Sequence, residues 1–258
     1  MKNTMKPILA GLVLCLSSSL SCAADLEAMR ATGKGENSDL SNTSLIGAKL
    51  ADIKMDGSKF INSDLTDASI NDCGECNFTG ARLVRTNFEK ASIDEVILNN
   101  AQIEDANFTK AYAHNPRVRN AVISGTKMDR VNMSKGKFEK ASIKNTSMIG
   151  AQLKMSTFAD AVLNNVDLSY ADLTYADFTG AKLQGTKFAH AVLYAVEFIN
   201  ADLSGADFRG ADITGAYFKR AYGFDTSKQQ YGDIPSSVSC DELKARGAVV
   251  DTTTKCNL

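Results

Sequence analysis

The residues best suited to chemistry in this chain are its thiols and imidazoles, six cysteines and two histidines in 258 residues. Cys73 and Cys76 form a Cys-x-x-Cys inside the segment CGECNF. That spacing serves thiol–disulfide exchange, zinc binding and, with a following histidine, haem attachment. Haem attachment needs His at 77, where the chain has Asn77. A structural zinc site takes four ligands, and His114 and His190 are the only histidines available to complete one. A redox Cys-x-x-Cys opens a helix after a strand, whereas Cys76 falls in a column of small residues that point inward. A structural disulfide is therefore the favoured reading, and a thiol-active pair is the alternative. Cys15 and Cys22 fall in an N-terminal leader, which leaves Cys240 and Cys256 as a second pair. Local pairing, Cys73 with Cys76 and Cys240 with Cys256, is favoured because more than 160 residues separate the two pairs.

No set of side chains assembles a nucleophile, a base and an orienting group. The histidines are 76 residues apart. The glycines mark corners and precede no helix, so they are not a phosphate-binding loop. No cofactor and no metal are expected, and neither is an enzymatic activity.

What must position these residues is a five-residue period running from Leu40 to Phe218. Numbering each repeat by its central apolar residue i gives Leu40, Leu45, Leu50, Met55, Phe60, Leu65 and Ile70. After an offset read as a three-residue insertion at 71–76, the series resumes at Phe78 and continues to Phe218. The 36 central positions hold 13 Leu, 11 Phe, 6 Ile, 4 Met, Val118 and Ala113. Position i−2 is Ala in 19 repeats and Ser, Thr, Cys or Gly in 11 more. Residues two apart in an extended segment share a side, so a large and a small residue point inward together. Position i+2 is Gly, Asn or Asp in 23 of 36 repeats, the residues that accept a tight corner. A helix cannot hold a five-residue stripe on one face, since five residues turn it through roughly 500°. The period demands a coil that stacks on itself. Phe and aliphatic centres alternate, and only a four-sided, twenty-residue coil has room for the phenyl rings.

Runs such as ADLTYADFTGAKLQG and ADLSGADFRGADITGAYF resemble the pentapeptide-repeat family, over about 180 residues. The resemblance implies an all-β fold, a right-handed quadrilateral β-helix of about nine four-sided coils. Ala113 and Pro116 make the weakest coil, where a bulge or outward loop is expected over 112–117. The segment GENSDL before Leu40 repeats the spacing of CGECNF, with Gly35 and Ser38 in the two cysteine places.

Lys2 and Lys6, followed by the apolar Pro7–Leu16, read as a secretory signal. The expected organisation is a signal over 1–24, an N-terminal cap over 25–37, the β-helix over 38–223 and a C-terminal cap with a short helix over 224–258. Export to the periplasm or beyond follows, and a lipoprotein signal acylated at Cys22 is the minor alternative. No segment is long and apolar enough to span a membrane. Charge is uneven. Residues 109–154 carry ten basic and two acidic side chains, while residues 155–218 carry eight acidic and three basic. Arg117, Arg119, Lys127, Arg130, Lys137 and Lys140 are the candidate binding surface. The function expected is a non-enzymatic scaffold for a protein or envelope component, with no nucleic acid as partner. Well-known family members imitate DNA and bind gyrase. The export signal and near-neutral charge disfavour that role here.

Overall fold

The structure is a computed structural model that describes residues 19–218 together with Ala221, Asp241 and Thr254. Each repeat contributes one short extended segment and one corner, and four repeats close a coil. Parallel bridges follow one side upward from Asp39 through Lys59, Asn77, Ile97, Arg117, Lys137, Thr157, Asp177 and Glu197 to Tyr217. We name the four faces by their central residues: face I from Leu40 to Phe218, face II from Leu45 to Leu203, face III from Leu50 to Phe208, and face IV from Met55 to Ile213. On face II five segments are regular enough to form a parallel sheet: β3 (Arg82–Val84), β4 (Gln102–Glu104), β5 (Val122–Ser124), β6 (Ser142–Lys144) and β7 (Val162–Asn164).

Stacking sorts the interior by shape. Among the described residues all eleven phenylalanines line faces I and III, and faces II and IV are aliphatic apart from Cys73 and Ala113. Down face I the rings of Phe138, Phe158, Phe178 and Phe198 lie parallel, with centroids 4.6, 4.8 and 5.4 Å apart. Across the interior the Phe178 and Phe188 rings meet edge to face at 5.9 Å. Both geometries suit the ring quadrupole. The central residues from Leu40 to Phe218 are no more than 2% exposed. Small residues at i−2 fill the remaining width. Where these are hydroxylic, the buried oxygen finds a backbone carbonyl, either in the coil below, as Thr186 Oγ1 does with Leu163 O at 2.8 Å, or two residues back, as Thr126 Oγ1 does with Ser124 O at 3.0 Å. Buried hydroxyls need such partners.

Among the described residues every corner residue at i+2, apart from those at 52 and 72, takes a left-handed conformation, with φ between 49° and 72°. Glycine fits there freely. Twenty-five non-glycine residues among those described also adopt positive φ, including Lys140, Met155, Tyr170 and Tyr175. Ladder bonds hold them in place: Tyr175 N–H, for example, donates to Tyr194 O at 3.0 Å.

The offset near residue 71 is a shortening, which corrects the expected insertion. Bridges normally join residues twenty apart, but those from Lys54↔Asp72 to Ser69↔Asn87 join residues eighteen apart. Ile70 and Phe78 are eight positions apart where two sides normally take ten, so Cys73 becomes a central residue. It stacks between Met55 and Ile93: Met55 N–H donates to Asp72 O and Cys73 N–H to Ser92 O, each at 2.9 Å. Strand β2 (Ser69–Asp72) runs through the corner between faces III and IV, and β1 (Lys49–Lys54) matches it with an irregular register between Leu50 and Lys54.

The expected loop at 112–117 is absent, a second correction. Tyr112 and Arg117 keep their bridges to the coils above and below, and Ala113 is fully buried. The reason lies in which bond proline removes. At i−2 the amide normally closes the corner locally, as Ala121 N–H does to Val118 O, while the inter-coil ladder uses i−1, i and i+2. Pro116 gives up only the corner bond, and its carbonyl still accepts from Lys137 N–H at 2.9 Å.

Helix α1 (Ser19–Thr32) closes the lower end and begins before the expected cap. Gly33, at φ 68°, terminates it in the left-handed form usual after a helix. Gly35 occupies the first face IV position. A methyl there would lie 2.5 Å from Met55 Sδ and 3.3 Å from Met29 Sδ, so the helix side chain Met29 fills the space a central side chain would take. At the upper end Thr254 Oγ1 donates to Phe208 O at 2.9 Å and accepts from Gly210 N–H at 3.2 Å. Residues 1–18 of the leader, Cys240 and Cys256 lie outside the described residues.

Two outcomes follow. Phe178→Ala removes a ring sandwiched between two others and should cost about 3–5 kcal/mol, read as a lower denaturation midpoint with an unchanged slope. Burial, and then the neighbouring Asp56 carboxylate, push the Asp72 carboxyl above the ordinary aspartate value, with Lys54 partly offsetting them. A raised folded value means that ionised Asp72 opposes folding, and that the penalty is relieved as pH falls through that value. Asp72→Asn should therefore stabilise the protein near neutral pH, and urea midpoints should converge with those of the parent on acidification.

Candidate functional site

Cys73 and Cys76 sit on either side of the corner between faces IV and I. Their sulfurs are 2.12 Å apart, at disulfide bonding distance. Both residues are fully buried. Cys76 stacks directly above Ser58 in the i−2 column, and its Sγ lies 3.0 Å from Met55 O. That is the same place from which the Ser58 and Ser156 hydroxyls reach the carbonyls of Gly35 and Met133. The pair thus occupies two packing positions of the repeat. Thiol exchange requires a thiolate to approach a sulfur in line, and the coil covers both sulfurs.

The basic candidates do not form one surface. A coil has twenty residues, so side chains ten apart in sequence face opposite ways. Arg117, Arg119, Lys137 and Lys140 lie on face I and its far corner, whereas Lys127 and Arg130 lie on face III and its far corner. Within the face I group Arg119 is tied by two bonds to Glu139, at 3.2 and 3.0 Å. Arg117, Lys137 and Lys140 keep their ammonium or guanidinium groups clear of carboxylates among the described residues.

The histidines are equally dispersed. His114 points outward on face IV, beside the central Ala113, with its Nδ1 3.9 Å from Asp94 Oδ1. His190 stands at the corner of faces III and IV, stacked on Tyr170 with centroids 5.0 Å apart. Among the described residues no group of histidine, cysteine and carboxylate side chains could hold a metal ion. No helix among them is long and apolar enough to cross a membrane.

Inspection of single repeats misses a cluster around face IV in the upper coils. Tyr170 and His190 line one corner of that face, Met155 and Tyr175 line the other, and Val192 and Tyr194 lie between. Tyr175 and Tyr194 meet edge to face at 5.6 Å. The signal for it was present: Tyr170 and His190 are one coil apart, as are Met155 and Tyr175.

No curated protein sequence matches the chain. Among solved structures, HetL, a pentapeptide repeat protein involved in heterocyst differentiation regulation in Nostoc sp. strain PCC 7120, is 23% identical. That match covers 77% of this chain and 93% of HetL, with a TM-score of 0.41. A pentapeptide repeat protein of the Arabidopsis thaliana thylakoid lumen is 29% identical over 38% of this chain and 65% of its own length, with a TM-score of 0.32. QnrB1, a plasmid-mediated fluoroquinolone resistance protein, is 19% identical over 85% of this chain and 89% of its own, with a TM-score of 0.31. The family model for pentapeptide repeats matches residues 38–73, 72–109, 146–185 and 186–222, more than half of the sequence. Five-residue sides, four to a coil, agree with that family model, and on its match over more than half of the sequence the chain belongs to the pentapeptide-repeat family.

Proposed function

We propose that the chain is an exported, non-enzymatic rod that holds another protein or an envelope component on its outer faces. The observation that carries this reading is the filled interior. Central and i−2 side chains occupy the whole lumen, so only outward side chains are left to meet a ligand. Those side chains form flat, rigid ladders, a geometry suited to polypeptide surfaces more than to enclosing a small molecule. Four features support export: the basic and apolar leader, the paired thiols inside the coil, the second cysteine pair near the C-terminus, and the low content of unpaired thiols these imply. The gyrase-binding alternative calls for a continuous acidic face. Face I instead places Arg117 and Lys137 between the acidic Asp39 and Asp177 rows.

The test compares faces within one rod. Arg117→Glu with Lys137→Glu alters face I, and Lys127→Glu with Arg130→Glu alters face III and its corner. In-cell crosslinking should recover an envelope partner with the parent, and one of the two variants should lose it at least tenfold while the other keeps it. Equal recovery with both would end the basic-surface version. N-terminal sequencing should find a mature chain starting at Ala24 or Asp25. An uncleaved cytoplasmic chain would overturn export and favour the gyrase alternative.

A further inference from the structure

Face IV is where this rod spends backbone strain on surface chemistry. Met155, Tyr170 and Tyr175 have φ of 57°, 60° and 60° and are 58%, 62% and 53% exposed. A side chain in the left-handed region costs on the order of 1–2 kcal/mol, and these three recover little by burial. Glycine occupies the same corners one coil away, at Gly150 below Tyr170, and two coils away, at Gly215 above Tyr175. The Tyr170, Tyr175 and Tyr194 hydroxyls have no hydrogen-bond partner among the described residues, so local bonding does not account for them.

Two coils below, the same two corners carry cations. Arg130 stands beneath Tyr170 in the corner of faces III and IV, and Lys135 stands beneath Tyr175 in the corner of faces IV and I, with φ of 54° and 60°. Among the described residues neither has a carboxylate within salt-bridge distance. Face IV is therefore aromatic above and cationic below, on both of its edges at once. The row of Gln152, Lys154 and Met155 lies midway.

We propose that face IV is a self-docking surface and that its occupant is a second copy of this chain, packed antiparallel about a two-fold axis through the Gln152–Met155 row. An axis in the plane of the face and perpendicular to the rod keeps each corner over the same corner and reverses the order of the rows. Tyr170 then meets Arg130 of the second copy, and Tyr175 meets its Lys135. Each contact occurs twice by symmetry. Guanidinium or ammonium against a tyrosine ring is a cation–π pair. The same operation brings Val192 over Tyr112 of the second copy and Met155 over its own counterpart. Lys154 also approaches the axis, but its charge is already met by Asp172 at 3.0 Å. One register thus satisfies both edges and the middle, which a patch evolved only for solubility has no reason to do. The five rows involved, at about 4.8 Å each, span about 24 Å. That is a small interface, so the dimer is weak and salt-sensitive.

Sedimentation equilibrium of the full chain at low and high salt tests this independently of any envelope partner. The parent should approach twice the monomer mass with rising concentration at low salt, and less so at high salt. Tyr170→Gly with Tyr175→Gly relieves backbone strain, so the fold is kept, yet the association constant should fall at least about tenfold. Arg130→Glu with Lys135→Glu should do the same. Met155→Cys should give a symmetric crosslinked dimer under mild oxidation, while Tyr217→Cys on face I should not. The proposal is overturned by a parent that stays monomeric at low salt, by variants that associate like the parent, or by crosslinking through residue 217 in preference to residue 155.

Discussion

The width of the interior governs this molecule. Each side of a coil has room for one large and one small inward side chain, and the large ones must stack on their equivalents in the next coil. Phenyl rings stacked 4.6–5.4 Å apart down face I show how closely that match is kept. Every other feature follows from it. A side chain can turn inward on four sides only if the backbone turns between them, and the left-handed residue at i+2 makes that turn. Because each coil contacts only its neighbours, stability is close to a sum of local terms. A single coil of eighteen residues is tolerated for that reason: β1 and β2 absorb the change in one corner, and the four columns run on above it.

The corners divide the surface into two kinds of position. Residues at i−1 and i+1 lie on extended segments, where any polar side chain is accommodated. At i+2, outside the shortened corner at 52 and 72, the ladder holds positive φ whatever residue is present, and most residue types oppose it. Asparagine, aspartate and glycine at these positions need no further account. A tyrosine, a methionine or an arginine there is held against its own preference by bonds it shares with adjacent coils. Its presence is therefore more informative than the same residue on a flat segment.

The period, the inward columns and the closed lumen were legible in the sequence because each depends on residue type at a fixed spacing. The shortened coil was seen only as an offset. Counting residues cannot tell an added three from a missing two; what decides is that Cys73 faces inward between Met55 and Ile93. The loop expected at Pro116 does not form because what a missing backbone donor costs depends on which bond it would have made. In this fold the i−2 amide serves the corner and not the ladder. The basic cluster was misread for a related reason. Arg117 and Lys127 are close in sequence, but ten residues is half a coil, so one faces away from the other. The tyrosines on face IV were passed over because they fall in outward positions of single repeats, and their alignment exists only between coils.

Function on such a rod is written down columns at intervals of twenty residues, not along segments. A charge count over consecutive residues averages four faces and reports a basic middle and an acidic end. Taken face by face, the same residues separate. Face I mixes Arg117 and Lys137 with Arg119 already satisfied by Glu139, and face IV sets Arg130 and Lys135 beneath Tyr170 and Tyr175. Only the second arrangement sets aromatic rings directly above cations on both edges of one face. A partner reaching this molecule meets a face and not a segment, so the unit that selection can tune is the column. On the docking proposed for face IV, the residues least explained by packing are the ones that make the contact.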